Sequence, residues 1–204
     1  MRKMCGMLVF CFLVAASFWG SMLLGDRKLL NEELIRLHVV ANSDSAQDQA
    51  VKQQVRDAVM ASLGSAMADV ADVDQAIAYL RENLPKIQKA ANEVLTRAGF
   101  DPDAVVTLCR ETFDTRVYDT FTLPAGIYES LRIVIGEGEG RNWWCVVFPT
   151  FCIPATGEGF EDVAAGAGFP DTLSNTLTGE DGYEIRFFLL DALGRLENIF
   201  FLER

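Results

Sequence analysis

Twenty-two consecutive residues near the start of the chain, Met4 to Gly25, carry no charge, and they follow the short basic start Met1-Arg2-Lys3. As a helix rising ~1.5 Å per residue, this run reaches about 33 Å, which is enough to cross the apolar core of a bilayer. Residues 1–25 are therefore predicted to be a signal peptide or an uncleaved membrane anchor; a buried core helix is the third interpretation. Ala15-Ala16-Ser17 is a candidate cleavage site.

The rest of the chain, residues 26–204, is long enough for one domain with its own hydrophobic core. A short N-terminal arm followed by a large domain favours an orientation with the domain outside the cytoplasm. The sequence has a net charge of −11 and contains no basic stripe. Binding to nucleic acid is therefore not expected, and the acidic surface serves mainly to keep the domain soluble.

Hydrophobic periodicity predicts the elements of this domain. After a polar connector at 26–33, the pattern predicts a strand at 34–41, a helix from a capping box at Ser45 to Gly64, and a second helix at 74–98 that Pro85 kinks or divides. Strands follow at 104–113, 117–123, 128–135 and 143–148, the last two as a pair, before a C-terminal helix at 184–201. This order predicts an α+β domain with helices packed on a mainly antiparallel sheet.

Two parts of the C-terminal half carry further predictions. Residues 154–182 are rich in Gly, Asp, Thr and Pro, and we predict a flexible surface insert there. The C-terminal helix is expected to bury an apolar face made by Phe187, Phe188, Leu190, Leu193, Leu196, Ile199 and Phe200.

Few residues have the chemistry of a catalytic or metal site. His38 is the only histidine, and no cysteine pair has zinc-ligand spacing, so no metal site is predicted. Cys145 with His38 and Asn42 has the residue types of a nucleophilic pair with an orienting group, which leaves a cell-envelope hydrolase as an alternative function. Cys145 lies in an apolar run, however, and a structural cysteine is favoured. Cys145 and Cys152 are either a disulfide or two buried thiols.

Two polar segments are candidate contact surfaces. The first is the strand-to-helix junction HVVANSD, and the second is the glycine-rich run GEGEG with the residues after it, where positive φ angles and a hairpin are expected. Ordinary helix capping and turn closure explain both segments equally well. Adjacent strand residues face opposite sides, so two neighbouring tryptophans imply either a sheet covered on both faces or one exposed indole. The partner-binding candidates are His38, Asn42, Asp44, Arg141, Asn142, Trp143 and Trp144.

Two long blocks of the sequence resemble one known family. The blocks IRLHVVANSDSAQDQAVKQQVRDAV (residues 35–59) and LPAGIYESLRIVIGEGEGRNWWCVVFPTFC (residues 123–152) are similar to stage II sporulation protein R of endospore-forming bacteria. The N-terminal apolar run and the tail EIRFFLLDALGRL extend the resemblance over most of the chain. Residues 154–182 match no family pattern.

The resemblance implies a function that the residue patterns do not. Members of the family are exported from the forespore into the space between its two membranes. There they trigger a membrane-embedded aspartic protease that matures the precursor of the sporulation sigma-E factor. The resemblance thus implies a signalling protein rather than an enzyme, with that peptidase and the membrane as partners and with no cofactor or small-molecule substrate. The chain is expected to stay anchored, or to be released after signal cleavage.

Overall fold

The computed structural model describes residues 2–68, 70–118, 121–148, 171–179 and 184–202. The described residues form five helices and six strands. In chain order these are α1 (Arg2–Glu33), β1 (Ile35–Val40), α2 (Ala46–Ala68), α3 (Val73–Arg97), β2 (Ala104–Phe113), β3 (Arg116–Val117), β4 (Thr122–Leu123), β5 (Gly126–Ile135), β6 (Asn142–Phe148), α4 (Asp171–Thr178) and α5 (Glu184–Leu202).

The main sheet has four strands in the order β2-β5-β1-β6. β1 runs parallel to β5 and antiparallel to β6, while β2 and β5 are antiparallel. The α+β class is confirmed. The sheet is mixed: two of its three strand pairs are antiparallel, as a mainly antiparallel sheet requires, and the parallel pair of β1 with β5 is the part that the prediction missed. The predicted pairing of β5 with β6 is wrong, because β1 lies between them. The short connection between β5 and β6 suggests that these two strands pair. In the structure β1, which is distant from both in sequence, lies next to β5 instead.

Both faces of this sheet are covered. On one face Leu37, Ile133 and Val147 pack with apolar residues of α2 and α3 in the larger core cluster. On the other face Phe113 and Tyr128 pack with residues of α1, α4 and α5 in a second cluster. The alternating side chains of β1 enter both clusters or the polar groups beside them, which explains why all six of its residues are buried.

The C-terminal part of α1 belongs to the folded domain. Leu23, Leu30 and Leu34 are buried in the second core cluster. Buried Asp26 accepts a 2.8 Å hydrogen bond from Nε of Arg186 in α5, and buried Arg27 donates a 2.9 Å bond to Glu197. Residues 26–33, predicted as a polar connector, are therefore helical and tie the first helix of the chain to the last.

The N-terminal part of α1 holds the uncharged run of the sequence. Met1 lies outside the described residues, as do the side chains of residues 2–5, 8 and 9. Across the part of the chain that the structure describes, no helix is both long and apolar enough to span a membrane. The signal peptide or anchor at residues 1–25 stays a prediction.

Three predicted elements differ in detail. α2 continues past Gly64 to Ala68, with Gly64 at φ 46° and ψ −145° breaking the helical geometry. α3 runs through Pro85 as one helix. The strand predicted at 117–123 is instead the two short strands β3 and β4, which pair in a separate antiparallel ribbon.

The C-terminal part of the domain also departs from prediction. Residues 171–178 of the predicted insert form α4, whose Leu173 and Leu177 are buried, while residues 149–170 and 180–183 lie outside the described residues. α5 is helical as predicted, but Arg186 and Asn198 are buried. Four of its predicted core residues are exposed: Phe188, Leu196, Ile199 and Phe200.

Candidate partner-binding site

The glycine-rich segment Gly136–Arg141 is a turn that crosses over the C-terminal end of β1. It leaves β5 and enters β6, which lie on either side of β1, so it must pass over the end of that strand. Gly136 and Gly138 have φ angles of 55° and 67°, so the predicted positive φ angles are confirmed. The expected hairpin is a crossover instead. We call this segment the crossover turn.

The crossover turn is bonded along its length to the junction between β1 and α2. The amide of Glu137 donates to Oδ1 of Asn42 at 3.1 Å, and the amide of Glu139 donates to the Asn42 carbonyl at 3.1 Å. The amide of Arg141 donates to Oδ1 of Asp44 at 2.7 Å, and buried Lys52 donates to the Arg141 carbonyl at 2.8 Å. The two segments that the sequence analysis selected therefore form one continuous, internally bonded surface.

The same junction caps α2. Asp48 donates its amide to Oγ of Ser45 at 3.1 Å, as the predicted capping box requires. Its carboxylate accepts hydrogen bonds from the Ser43 hydroxyl and, at 3.1 Å, from the Asn42 amide. The Ser43 bond is the main cause that holds the pKa of Asp48 below its usual range. The capping interpretation therefore accounts for the observed contacts of Ser43, Ser45 and Asp48.

Asn42 and Asn142 lie close to each other but have different surroundings, and this leads to a prediction. Asn42→Ala should lower the free energy of unfolding by about 2 kcal/mol, because it removes two side-chain bonds: the Glu137 amide loses its acceptor, and the Asp48 carboxylate keeps the Ser43 hydroxyl but loses the Asn42 amide. Asn142 is exposed, and Asn142→Ala should change it by less than about 0.5 kcal/mol. Urea denaturation of both purified variants measures the difference; equal losses would contradict it.

The exposed side chains at this place are Asp44, Glu137, Glu139, Arg141 and Asn142, which we name the turn–junction surface. Among them, Arg141 forms a 3.5 Å ion pair with Asp44. The charges are carried by a turn whose backbone is fixed by hydrogen bonds, so little backbone conformational entropy remains to be lost on binding. A preorganised polar surface of this kind is suited to recognising another protein.

Trp143 and Trp144 lie on opposite faces of the sheet and are both half-buried. Trp143 packs against the larger core cluster, with the Arg56 guanidinium 4.2 Å from its ring centroid. Trp144 stacks on the His38 ring at 3.7 Å. Of the two alternatives for this pair, the structure has the sheet covered on both faces.

His38 is buried and bonded within the chain. Its Nδ1 lies 3.1 Å from both carboxylate oxygens of Glu111. Burial alone would raise the pKa of Glu111, but the hydrogen bond from His38 and the charge of Arg132 reverse this and lower it. His38 therefore links β1 to β2 beneath Trp144 and does not belong to the exposed turn–junction surface.

The geometry excludes the catalytic pair of Cys145 and His38. Cys145 lies opposite Leu37 in the β1–β6 register and belongs to the larger core cluster, whereas His38 lies opposite Trp144 on the other face. The sheet therefore separates thiol from imidazole, and this correction removes the hydrolase alternative. Cys145 is also disulfide-bonded, which leaves no thiolate. Cys152 lies outside the described residues, so the Cys145–Cys152 pairing stays a prediction.

Sequence reasoning missed a second group of polar side chains, on the same face as His38. Arg36 is fully buried, with its Cζ 4.0 Å from the Phe113 ring centroid, and Arg116 lies 5.0 Å from the Trp144 ring. The sequence does contain an indication of this group: in β1 the basic side chains of Arg36 and His38 alternate with apolar residues. Within the described residues, no cluster of His, Cys, Asp and Glu could hold a metal ion.

Fold and site together define an α+β domain with a mixed sheet and a polar turn that is bonded across the end of the central strand β1. The family model of stage II sporulation protein R matches residues 31–157, which include that turn. Stage II sporulation protein R of Bacillus subtilis (strain 168) is 33% identical to the chain over 187 residues, covering 82% of this chain and 83% of the relative. No solved structure matches the chain.

The chain therefore belongs to the stage II sporulation protein R family, and the resemblance in residues 35–59 and 123–152 is confirmed. Family membership gives the chain a role in sporulation. The matched region spans β1, the crossover turn and β6, so the elements that build the turn–junction surface lie within it.

Proposed function

We propose that this chain is an exported signalling protein that activates a membrane-embedded aspartic protease, which then processes the precursor of the sporulation sigma-E factor. The observation that carries the proposal is the match to stage II sporulation protein R over 187 residues. The domain acts by binding and performs no chemistry of its own. The separation of Cys145 from His38 by the sheet supports this, because it removes the one nucleophilic pair that the sequence offers.

Activation is a shift between two arrangements of the protease. A protein that binds the active arrangement more tightly than the inactive one moves the equilibrium by the difference in binding free energy. Moving a population from 1:99 to 99:1 takes about 5.5 kcal/mol of such a difference. A few well-placed contacts on a rigid surface supply this amount, because interface energy concentrates in a small number of residues.

The turn–junction surface is the proposed contact with the protease. Its backbone is held by hydrogen bonds to Ala41, Asn42 and Asp44, and its charged side chains point into solvent. The alternative is that these residues only cap α2 and close the turn. The two interpretations differ for the exposed side chains, which contribute little to stability and would contribute much to binding.

Substitution of the exposed side chains tests this surface. Glu139→Ala and Arg141→Ala should leave the melting temperature within a degree or two and lower cleavage of the sigma-E precursor about tenfold or more. Cleavage is measured in a non-sporulating host that co-expresses the chain, the protease and the precursor. Lys89→Ala and Glu93→Ala remove an exposed ion pair on α3 and serve as the matched control. Full processing by the first two variants would place the contact elsewhere, on the outer faces of α2.

The uncharged run of the sequence supports a proposal for the location of the domain. We propose that the chain is exported from the forespore into the intermembrane space and held there by residues 4–25, or released after signal cleavage. A cut at Ala15–Ser17 would leave the bonds of Asp26 and Arg27 to α5 intact. Both forms therefore keep the folded domain.

Charges placed in the uncharged run should block export. Leu8→Arg with Leu13→Arg opposes insertion by about 2.5–3.5 kcal/mol per residue, so a phosphatase fused after Glu33 should lose its activity outside the cytoplasm. The control is the double variant Val105→Arg with Val117→Arg. It is made in a second fusion, which carries the phosphatase after the last residue of the chain. Both side chains are exposed on the domain, so these charges do not enter the uncharged run. If the Leu8→Arg, Leu13→Arg variant stayed in the cytoplasm and still triggered full processing of the precursor, export would be disproved as a requirement.

A further inference from the structure

The last helix, α5, turns apolar side chains outward and polar side chains inward. Large apolar side chains of this helix that are more than half exposed are Ile185, Phe188, Leu196, Ile199 and Phe200. By contrast, Arg186 and Asn198 of the same helix are buried. A helix on the surface of a domain in water normally does the reverse, because its apolar side packs on the core. The outward side of α5 therefore calls for a covering medium or partner.

These apolar side chains form one stripe, which we call the outward stripe. At 3.6 residues per turn, positions 185, 188, 196 and 199 fall on one side of α5, and position 200 lies at the edge of that side. The charged side chain nearest the stripe is Arg195, which is bonded to Asp191 at 2.8 Å and to Thr115 at 2.9 Å. At roughly 100 Å² for each exposed side chain, the stripe presents about 500 Å² of apolar surface, and a patch of that size on a monomer is often functional.

The inward side of α5 carries charged groups that are paired with α1. Nε of Arg186 donates to Asp26 at 2.8 Å, and Nε of Arg27 donates to Glu197 at 2.9 Å. Arg27 also donates to the carbonyl of Leu190 at 3.0 Å. Helices in contact with lipid have this arrangement, because their ionisable side chains face the protein interior and pair there. α5 thus has the polarity of a helix whose outer side meets lipid rather than water.

The outward stripe begins beside the end of the uncharged run in α1. That run ends at Gly25, and Asp26, directly after it, accepts the hydrogen bond from Arg186 in the first turn of α5. Leu24 and Ile185 lie on either side of this bond along the two helices, and both are exposed. The apolar surface of α5 therefore starts where that of α1 ends.

Lipid is the medium that suits both apolar surfaces. Phe12, Leu13 and Val14 follow one another around α1 at about 100° per residue, and all three are more than half exposed. This part of α1 is therefore apolar in several directions at once. A second copy of the chain would cover the stripe and leave these side chains of α1 in water, whereas acyl chains surround a helix and also cover a surface that adjoins it.

We propose that the outward stripe of α5 lies against the lipid bilayer as a second membrane contact of the domain, beside α1. The inference rests on the proposed membrane location of the chain and is independent of the protease as partner. A helix with a one-sided apolar stripe lies at the membrane surface with that side about 5–10 Å deep in the boundary between headgroups and acyl chains. Two contacts with one membrane hold the domain in a single orientation, which one flexible tether does not.

Fluorine NMR of the full-length chain in phosphatidylcholine nanodiscs tests this contact. Trifluoromethyl-phenylalanine replaces Phe188 or Phe200, one at a time, which keeps an aromatic ring at each position. The lipid is neutral, so the net charge of −11 neither attracts nor repels the domain. We expect a nitroxide on the lipid acyl chain to broaden both fluorine signals until they are lost. A water-soluble gadolinium chelate should leave both signals sharp.

The same label at Lys89 is the matched control, because that side chain is exposed on α3, across the sheet from α5. Its signal should be lost with the chelate and kept with the nitroxide. A label at Phe12 reports on α1, so loss to the nitroxide at Phe12 but not at Phe188 and Phe200 would overturn the α5 contact and leave the anchor intact. Loss of the Phe188 and Phe200 signals to the chelate would show a stripe in water, and protection from both reagents would show a second copy over it; either result overturns the proposal. The sample contains neither protease nor precursor, so the result is separate from that of the activation test.

Discussion

Arg186→Ala should lower the free energy of unfolding by about 3–5 kcal/mol, the loss expected when one member of a buried ion pair is removed. Arg186 and Asp26 are 8% and 7% exposed, and Nε of Arg186 donates to Asp26 at 2.8 Å. Without the guanidinium, Asp26 would remain buried as an unpaired charge. Chemical denaturation of the purified chain measures the loss.

Two comparisons make this test specific to burial. Lys28→Ala breaks the exposed pair with Glu32 and should change stability by less than about 1 kcal/mol. The double variant Asp26→Leu with Arg186→Met replaces both charges by apolar groups and should recover most of the loss. If Arg186→Ala proved as mild as Lys28→Ala, α1 would not be docked on α5 through this pair.

Gly194→Ala should cost about 3 kcal/mol, because there is no room for a methyl group where α5 crosses the start of β5. A Cβ atom at Gly194 would lie 1.7 Å from the carbonyl oxygen of Ala125, and backbone atoms cannot move aside as a flexible side chain does. α5 would have to shift away from the sheet, weakening the bonds of Arg27 to Leu190 and Glu197.

Gly25→Ala is the matched substitution. Gly25 is also helical, but a Cβ atom there would meet nothing within 4 Å. Alanine favours the helix by up to about 1 kcal/mol, so stability should stay the same or rise. Thermal melting of the Gly194→Ala and Gly25→Ala variants measures the difference. Equal melting temperatures would mean that α5 does not lie against Ala125.

The elements that the sequence predicted well are those governed by local pattern. Apolar spacing of three and four located α2 and α3, and Ser45 and Asp48 marked the start of α2 through the bond that the capping box requires. The glycines of the crossover turn have the positive φ angles expected of them. In each case the cause lies within a few residues of the effect.

The arrangement of the sheet was not predictable in the same way. β5 and β6 are separated by a short turn, which favours pairing, yet β1 lies between them. The strand order depends on which strand best fills the central position of the sheet. β1 fills it because Leu37 and Val39 enter one core while Arg36 and His38 find partners on the other face.

α5 shows the same limit at the level of side chains. Its sequence suggests a buried face of Phe188, Leu196 and Ile199, but the helix is turned so that Arg186 and Asn198 face inward. Asp26 and the carbonyl of Phe113, to which Asn198 donates at 2.9 Å, fix that rotation. These partners are at least 85 residues away in sequence, so no local pattern reports them.

The candidate site was predicted in part. The two segments named from sequence do meet, and Asp44, Arg141 and Asn142 are exposed there. His38 is buried, and Asn42 is committed to Glu137 and Asp48. The sequence identified polar residues at a strand end, but it did not tell which of them the chain itself would use.

Activation of the protease is tested most directly by leaving this chain out. A non-sporulating host carries the membrane-embedded aspartic protease and the sigma-E precursor, and the chain is supplied from an inducible promoter. Immunoblotting of the precursor should show cleavage when the chain is induced and the intact precursor when it is not. Equal cleavage with and without the chain, or an intact precursor while the folded chain accumulates outside the cytoplasm, would contradict the account.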